Sequence, residues 1–137
     1  MPLQTEEDVY RHMGTLLLQL AQEPEVRKVL ADSGLVFRFR LIEPEAVITV
    51  DARPGVNAVR FGEESDPPPT GELRCKTTTA HRIWLGRANV MGEIMKGRID
   101  YRGPLSQLQR LLPLLRAVVQ RYPEHLRALG AEDLLNP

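Results

Sequence analysis

The stretch CKTTTAHRIWLGRANVMGEIMKGRIDYRGPLSQLQRLLPLL, residues 75–115, decides the fold. Thr78 or Thr79 can cap a short helix over AHRIWLGRA, and Asn89 caps a second over VMGEIMK, which Gly97 closes. Residues 98–102 follow as a strand with Ile99 and Tyr101 inward. Pro104 suits the first position of a long helix. Leu105, Leu108, Leu111, Leu112, Leu115, Val118, Val119 and Tyr122 form one broad stripe on it. The two short helices carry Trp84, Val90, Met91, Ile94 and Met95 but no cluster of reactive side chains. Such a segment suits enclosing an apolar molecule better than performing chemistry.

Upstream of this stretch the pattern changes from helical spacing to alternation. Phe37, Phe39 and Leu41 alternate with Arg38 and Arg40, and Ile48 and Val50 with Thr49 and Asp51. Pro44 and Glu45 separate these runs, which predicts a hairpin. A third strand is expected around Val59, Arg60 and Phe61. The acidic, proline-rich EESDPPPTG (63–71) reads as a loop, and a fourth strand places Leu73, Cys75 and Thr77 against Glu72, Arg74 and Lys76. At the N-terminal end Thr5 caps a helix whose Val9, Met13, Leu16, Leu17 and Leu20 recur at helical spacing. Pro113 is expected to kink the long helix, and Pro123 to start a looser tail with Leu126, Leu129, Leu134 and Leu135.

The bulk properties narrow the function classes. A chain of 137 residues is one domain, residues 1–137, large enough for a core without staples. Its 18 basic and 18 acidic side chains cancel, whereas a nucleic-acid-binding domain shows a basic excess. The single cysteine, Cys75, excludes an internal disulfide and fits a reducing compartment. No run approaches the roughly 18 apolar residues of a membrane span. The acidic start is not a secretory signal, and the final DLLNP carries no targeting tripeptide, so a cytoplasmic location is expected.

Candidate reactive residues reduce to plain readings. His12, His81 and His125 show no metal-ligand spacing, and no metal site is expected. Gly86, Gly92 and Gly97 form no phosphate-loop pattern. Glu93 is explained by a solvent-facing helix position, and Cys75 by an inward strand face. Met91 and Met95, one turn apart beside Ile94, are either ordinary core or an adaptable apolar lining. Alternation turns Arg38, Arg40, Arg60, Arg74, Lys76, Arg98 and Arg102 away from the helices, opposed by Asp51, Glu72 and Asp100. That row is read first as a solvated face with cross-strand ion pairs, and second as a contact for anionic membrane or an acidic partner.

The order of elements resembles the sterol carrier protein 2 family of lipid-binding domains. The likeness is closest over residues 73–115. It rests on the Thr78–Thr79 helix cap, Trp84 in mid-helix, Lys96-Gly97, the Ile99-x-Tyr101 strand and Gly103 before the leucine-rich helix. The resemblance implies an α/β sandwich of the α+β type. Its single curved, five-stranded, mostly antiparallel sheet is covered on one face by helices, with an apolar tunnel between them. Transferred to this chain, the tunnel would be lined by Trp84, Met91, Ile94, Met95, Leu108, Leu112 and Leu115. The family has no catalytic residues of its own, and no cofactor is implied. Without a targeting tripeptide, the chain looks more like the stand-alone bacterial versions.

The expected function is therefore non-catalytic binding or transport of a hydrophobic small molecule: a lipid, fatty acyl chain or sterol-like compound. The alternative is an accessory protein that uses the same fold to dock a partner through the basic face or the leucine-rich tail, residues 123–137. As a cover over the tunnel the tail leaves a monomer; as a docking element it makes a homodimer or a partner complex.

Overall fold

The computed structural model describes residues 3–63 and 67–136. Helices α1 (Glu6–Val9), α2 (Thr15–Gln22) and α3 (Pro24–Ser33) come first, with a π-helical turn at Tyr10–Gly14. Strands β1 (Val36–Ile42), β2 (Ala46–Asp51), β3 (Ala58–Phe61) and β4 (Gly71–Lys76) follow. The chain then forms α4 (Thr77–Trp84), α5 (Val90–Met95), β5 (Ile99–Arg102), α6 (Leu105–Ala128) and a 3-10 turn at Glu132–Leu135. Thr5 caps α1 through a reciprocal capping box with Asp8, and Asn89 caps α5 by accepting from the Gly92 N–H at 3.0 Å. Among the described residues no helix is long and apolar enough to cross a membrane.

The sheet runs β3-β2-β1-β4-β5. The β1–β4 pair is parallel and the other three pairs are antiparallel, so the sheet is mixed. Its register places Phe37 opposite Val50, Phe39 opposite Ile48 and Leu73, and Leu73 opposite Tyr101. Phe37, Phe39, Ile48, Val50, Leu73 and Ile99 are all buried on that face, as the alternation predicts. Leu16, Leu17 and Leu20 of α2 and Leu108, Leu111, Leu115 and Val118 of α6 close the core.

The short edge strand β3 is packed by a local aromatic pair. Phe61 of β3 stacks on Tyr10 with centroids 4.8 Å apart, and its ring lies where a Cβ at Gly14 would sit, 2.6 Å away. Beyond the end of β3, the Val47 N–H donates to the Tyr10 hydroxyl at 3.1 Å.

The outward face of the sheet carries the expected ion pairs, but Arg38 departs from a solvated row. Arg38 is 3% exposed, because its guanidinium turns along the sheet to donate to Thr49 Oγ1 at 3.0 Å and the Pro67 carbonyl at 3.2 Å. Residues 64–66 of the expected loop lie outside the described residues. Arg40 reaches Glu63 and Glu72, while Arg53 and Arg60 converge on the fully buried Asp51. Hydrogen bonds from Arg53 and Arg60, against the opposing effect of burial, hold the Asp51 carboxyl down to about 2. Cross-strand and near-neighbour ion pairs thus account for most of this row.

Helix α6 also departs from expectation. It runs unbroken through Pro113 and Pro123, so residues 123–128 are helix and the tail begins after Ala128. Each proline removes one backbone donor, but the apolar stripe continues across both, with Leu111, Leu114, Leu115, Tyr122 and Leu126 buried. After Gly130, in the left-handed region at φ 71°, the chain folds back and buries Leu134. His81 holds this return. The Leu134 carbonyl only accepts, so His81 Nε2–H donates to it at 2.9 Å, and Nδ1 accepts from the Tyr122 hydroxyl at 2.8 Å. Arg87 adds a bond to the Leu135 carbonyl.

Burial favours the neutral imidazole at His81, in which one ring nitrogen donates and the other accepts. Burial holds His81 and His125 below the usual histidine value, with Arg87 and His12 adding to the effect at His81 and His12 at His125. The unfolded chain, with histidines near pKa 6.5, then binds more protons than the folded chain as pH falls below about 6.5. Stability is full above that value and declines on acidification. Urea midpoints measured between about pH 7.5 and 5 should fall with pH, and His81→Gln, which preserves a donor and an acceptor, should flatten the decline. A pH-independent wild-type midpoint in this window would contradict the assignment.

Candidate ligand-binding site

Two recesses flank the α4–α5 segment. An apolar groove of about 440 Å³ lies between α6 and the turn from α4 into α5. Its apolar walls are Ile83, Val90, Met91, Leu112, Leu115 and Val119. Gly86, at φ 77°, turns the chain sharply, and the Cβ it lacks would meet Val119 at 3.4 Å, so glycine keeps this end of the groove clear. The polar residues at the rim are Asn89, Arg116 and Gln120. Asn89 is occupied in capping α5, and the other two are exposed. No nucleophile and base meet in this groove.

Of the residues expected to line a cavity, the groove brings together Met91, Leu112 and Leu115. Trp84 and Leu108 belong to the packed interior, at 3% and 2% exposure. The Trp84 indole meets Phe39 edge-on at 6.4 Å and Tyr122 at 5.2 Å, which fills the space between sheet and helices at this level. Ile94 packs against the core, and Met95 points to solvent at 85% exposure. The reason is the orientation of α5: Val90, Glu93 and Ile94 form its inward face, so Met91 and Met95, one turn apart, share the outward one. Sequence reasoning missed Ile83, Val90 and Val119 as groove residues. The spacing of Leu112, Leu115 and Val119 along one edge of the α6 stripe was the available signal.

The second recess is polar, about 600 Å³, at the other end of α4. Arg74, Lys76, Arg82 and Arg98 line it with Thr78 and Thr79, and Asp100 is its acidic residue. Glu93 stands behind it and is only 3% exposed, contrary to the expected solvent-facing position. The end of α5 turns its carboxylate inward, toward Arg98 Nη1 at 3.3 Å and Arg82 Nη1 at 4.0 Å. Cys75 borders the same recess, 7% exposed.

No protein-family model matches the sequence, and no curated protein matches it. Solved structures do match the fold. The sterol carrier protein domain 2 of Helicoverpa armigera superposes with TM-score 0.66 at 16% identity, over 82% of this chain and 89% of that one. A conserved hypothetical protein of Thermus thermophilus, described as possibly a sterol carrier protein, gives 0.62 at 13% identity, over 91% and 90%. The UbiJ-SCP2 ubiquinone synthesis protein gives 0.60 at 14% identity, over 86% and 95%. The chain therefore has the sterol carrier protein 2 fold.

Burial, chiefly, pushes the Cys75 thiol up to about 11. At pH 8 its thiolate fraction should be about two orders of magnitude below that of a free thiol. Reaction with a chromogenic disulfide reagent should be correspondingly slow in the folded protein and complete on unfolding in urea. Rapid labelling of the native protein would show Cys75 to be more open than the packing implies.

Proposed function

We propose that the protein binds a hydrophobic small molecule of lipid type without transforming it, holding the apolar part in the groove between α5 and α6. The observation that carries this reading is the groove itself: a recess of about 440 Å³ in which Met91, Leu112 and Val119 stay partly open to solvent beside the buried Ile83, Val90 and Leu115. The fold adds support, since the Helicoverpa armigera neighbour is a sterol carrier protein domain. Covering each 100 Å² of apolar ligand surface contributes about 2.5 kcal/mol before the costs of ordering. An acyl chain or an isoprenoid tail suits such a weakly polar recess better than a polar metabolite does.

A carrier or reservoir is the role that follows, because the groove walls offer neither a nucleophile nor an acid–base pair. The accessory reading through the leucine-rich tail loses its main support. Leu126 and Leu134 are buried in their own chain, and Leu134 is bonded through its carbonyl to His81. The tail packs on its own chain at His81 and Arg87 and does not line the groove, which favours a monomer over a tail-docked dimer.

Two methionines provide a matched test. Met91 lines the groove at 44% exposure, whereas Met95 stands clear of it. Met91→Trp should fill the groove and weaken binding of a fluorescent fatty-acid analogue by about tenfold, with the urea midpoint unchanged. Met95→Trp should leave both unchanged. Displacement of the probe by unlabelled fatty acid or isoprenoid alcohol would support the lipid class. Equal loss in both variants, or no saturable binding to the wild type, would overturn the groove as the site.

A further inference from the structure

We propose that the polar recess at the start of α4 is a phosphate-binding site, distinct from the apolar groove and independent of the function assigned to it. Four cationic side chains, Arg74, Lys76, Arg82 and Arg98, line one recess of about 600 Å³, with Asp100 as the acidic lining residue. Their existing partners leave charge unsatisfied. Arg82 and Arg98 share a single carboxylate, Glu93, at 4.0 and 3.3 Å. Lys76 meets Glu43 only at 3.6 Å, with both side chains more than half exposed, an arrangement worth little. Asp100 is drawn to Arg102 at 3.5 Å. Arg74 sits between Arg40 and Asp100 in the sheet register but forms no ion pair or side-chain hydrogen bond among the described residues.

The helix end completes the site. α4 starts at Thr77 with Lys76 in the capping position and no cap from the Lys76 side chain; the Cys75 sulfur lies toward the Ala80 N–H. Thr77 directs its hydroxyl away, to the carbonyls of Ile42 and Pro44. The sequence expectation that Thr78 or Thr79 caps the helix is therefore not met. Both residues lie inside the first turn, and their hydroxyls have no partner among the described residues while lining the recess. An oxygen acceptor is missing where a cap would supply one, and a bound oxyanion would take that place. Guanidinium forks, an ammonium and two hydroxyls offer more donors than a carboxylate has lone pairs to fill; a phosphate, with more oxygens and up to two charges, matches them better. The same chemistry is presented by a soluble phosphate ester and by the headgroup of an acidic phospholipid.

Titration with inorganic phosphate, followed by amide chemical shifts, tests the site directly. Saturable shifts at Thr78 and Thr79 are expected, weakened by added sodium chloride. Arg74→Ser and Thr78→Ala alter exposed side chains without partners; the first should weaken phosphate binding about tenfold and the second less. Arg110→Ser, on the exposed side of α6, should have no effect. Linear shifts without saturation, or equal effects of Arg74→Ser and Arg110→Ser, would overturn the site. A second arm separates the sources. Cosedimentation with phosphatidylcholine vesicles containing phosphatidic acid, but not with phosphatidylcholine alone, and its loss in Arg74→Ser, would assign a lipid headgroup. Saturable phosphate binding without vesicle binding would assign a soluble phosphate ester. The fatty-acid probe of the groove should respond to none of these variants, so the two sites fail or stand separately.

Discussion

Trp84 stands edge-on between Phe39 of the sheet and Tyr122 of the last helix, and Tyr122 in turn donates its hydroxyl to His81. This column ties three layers together: β1, α4 and α6. Each ring is almost wholly removed from water, so displacing any one would cost several kcal/mol in lost burial and packing. It also sets where open space remains. With aromatic rings filling the interior at mid-height, apolar side chains that would line a central channel are instead packed. The uncovered apolar surface moves outward, to the seam where α5 approaches α6. His81 extends the column to the C-terminal turn, so that the same few contacts fix the core and seat the tail.

Much of the fold was legible because strand alternation is a strict constraint. Phe37, Phe39, Ile48 and Val50 must share a face once Pro44 turns the chain, and a shift of one residue would have exposed all four. The capping residues Thr5 and Asn89 were equally plain, since their oxygens satisfy specific backbone donors. The parallel β1–β4 pairing was not legible. It depends on where β4 enters the sheet after a long connection, which local pattern does not encode. The end of α6 was misread because proline was given its average effect, whereas a long buried stripe holds the helix together on both sides of it.

The binding residues were less legible than the fold for a physical reason. An apolar stripe records that a face is removed from water, but not whether side chains or a ligand remove it. Leu108 and Leu112 have the same chemistry four residues apart; one is core and the other borders the groove. Met95 shows the same limit in reverse, an apolar side chain left in water because α5 turns Val90, Glu93 and Ile94 inward instead. Charged residues misled differently. Arg38, set outward by alternation, and Glu93, set on a solvent-facing helix position, were both expected in water, yet each is buried with partners supplied from distant positions or the following turn.

The packing of Tyr10 on Phe61, over the space that Gly14 leaves, has a consequence for how the molecule behaves in company. Open sheets end in rows of unpaired backbone groups that invite another strand. Here both outermost strands are only four residues long. Beyond β3 the next donor is taken by a tyrosine hydroxyl, and β5 carries Asp100 and Arg102 on its outward positions. Neither border offers an extended template for strand addition. Growth of a continuous sheet from chain to chain is thereby disfavoured at both edges.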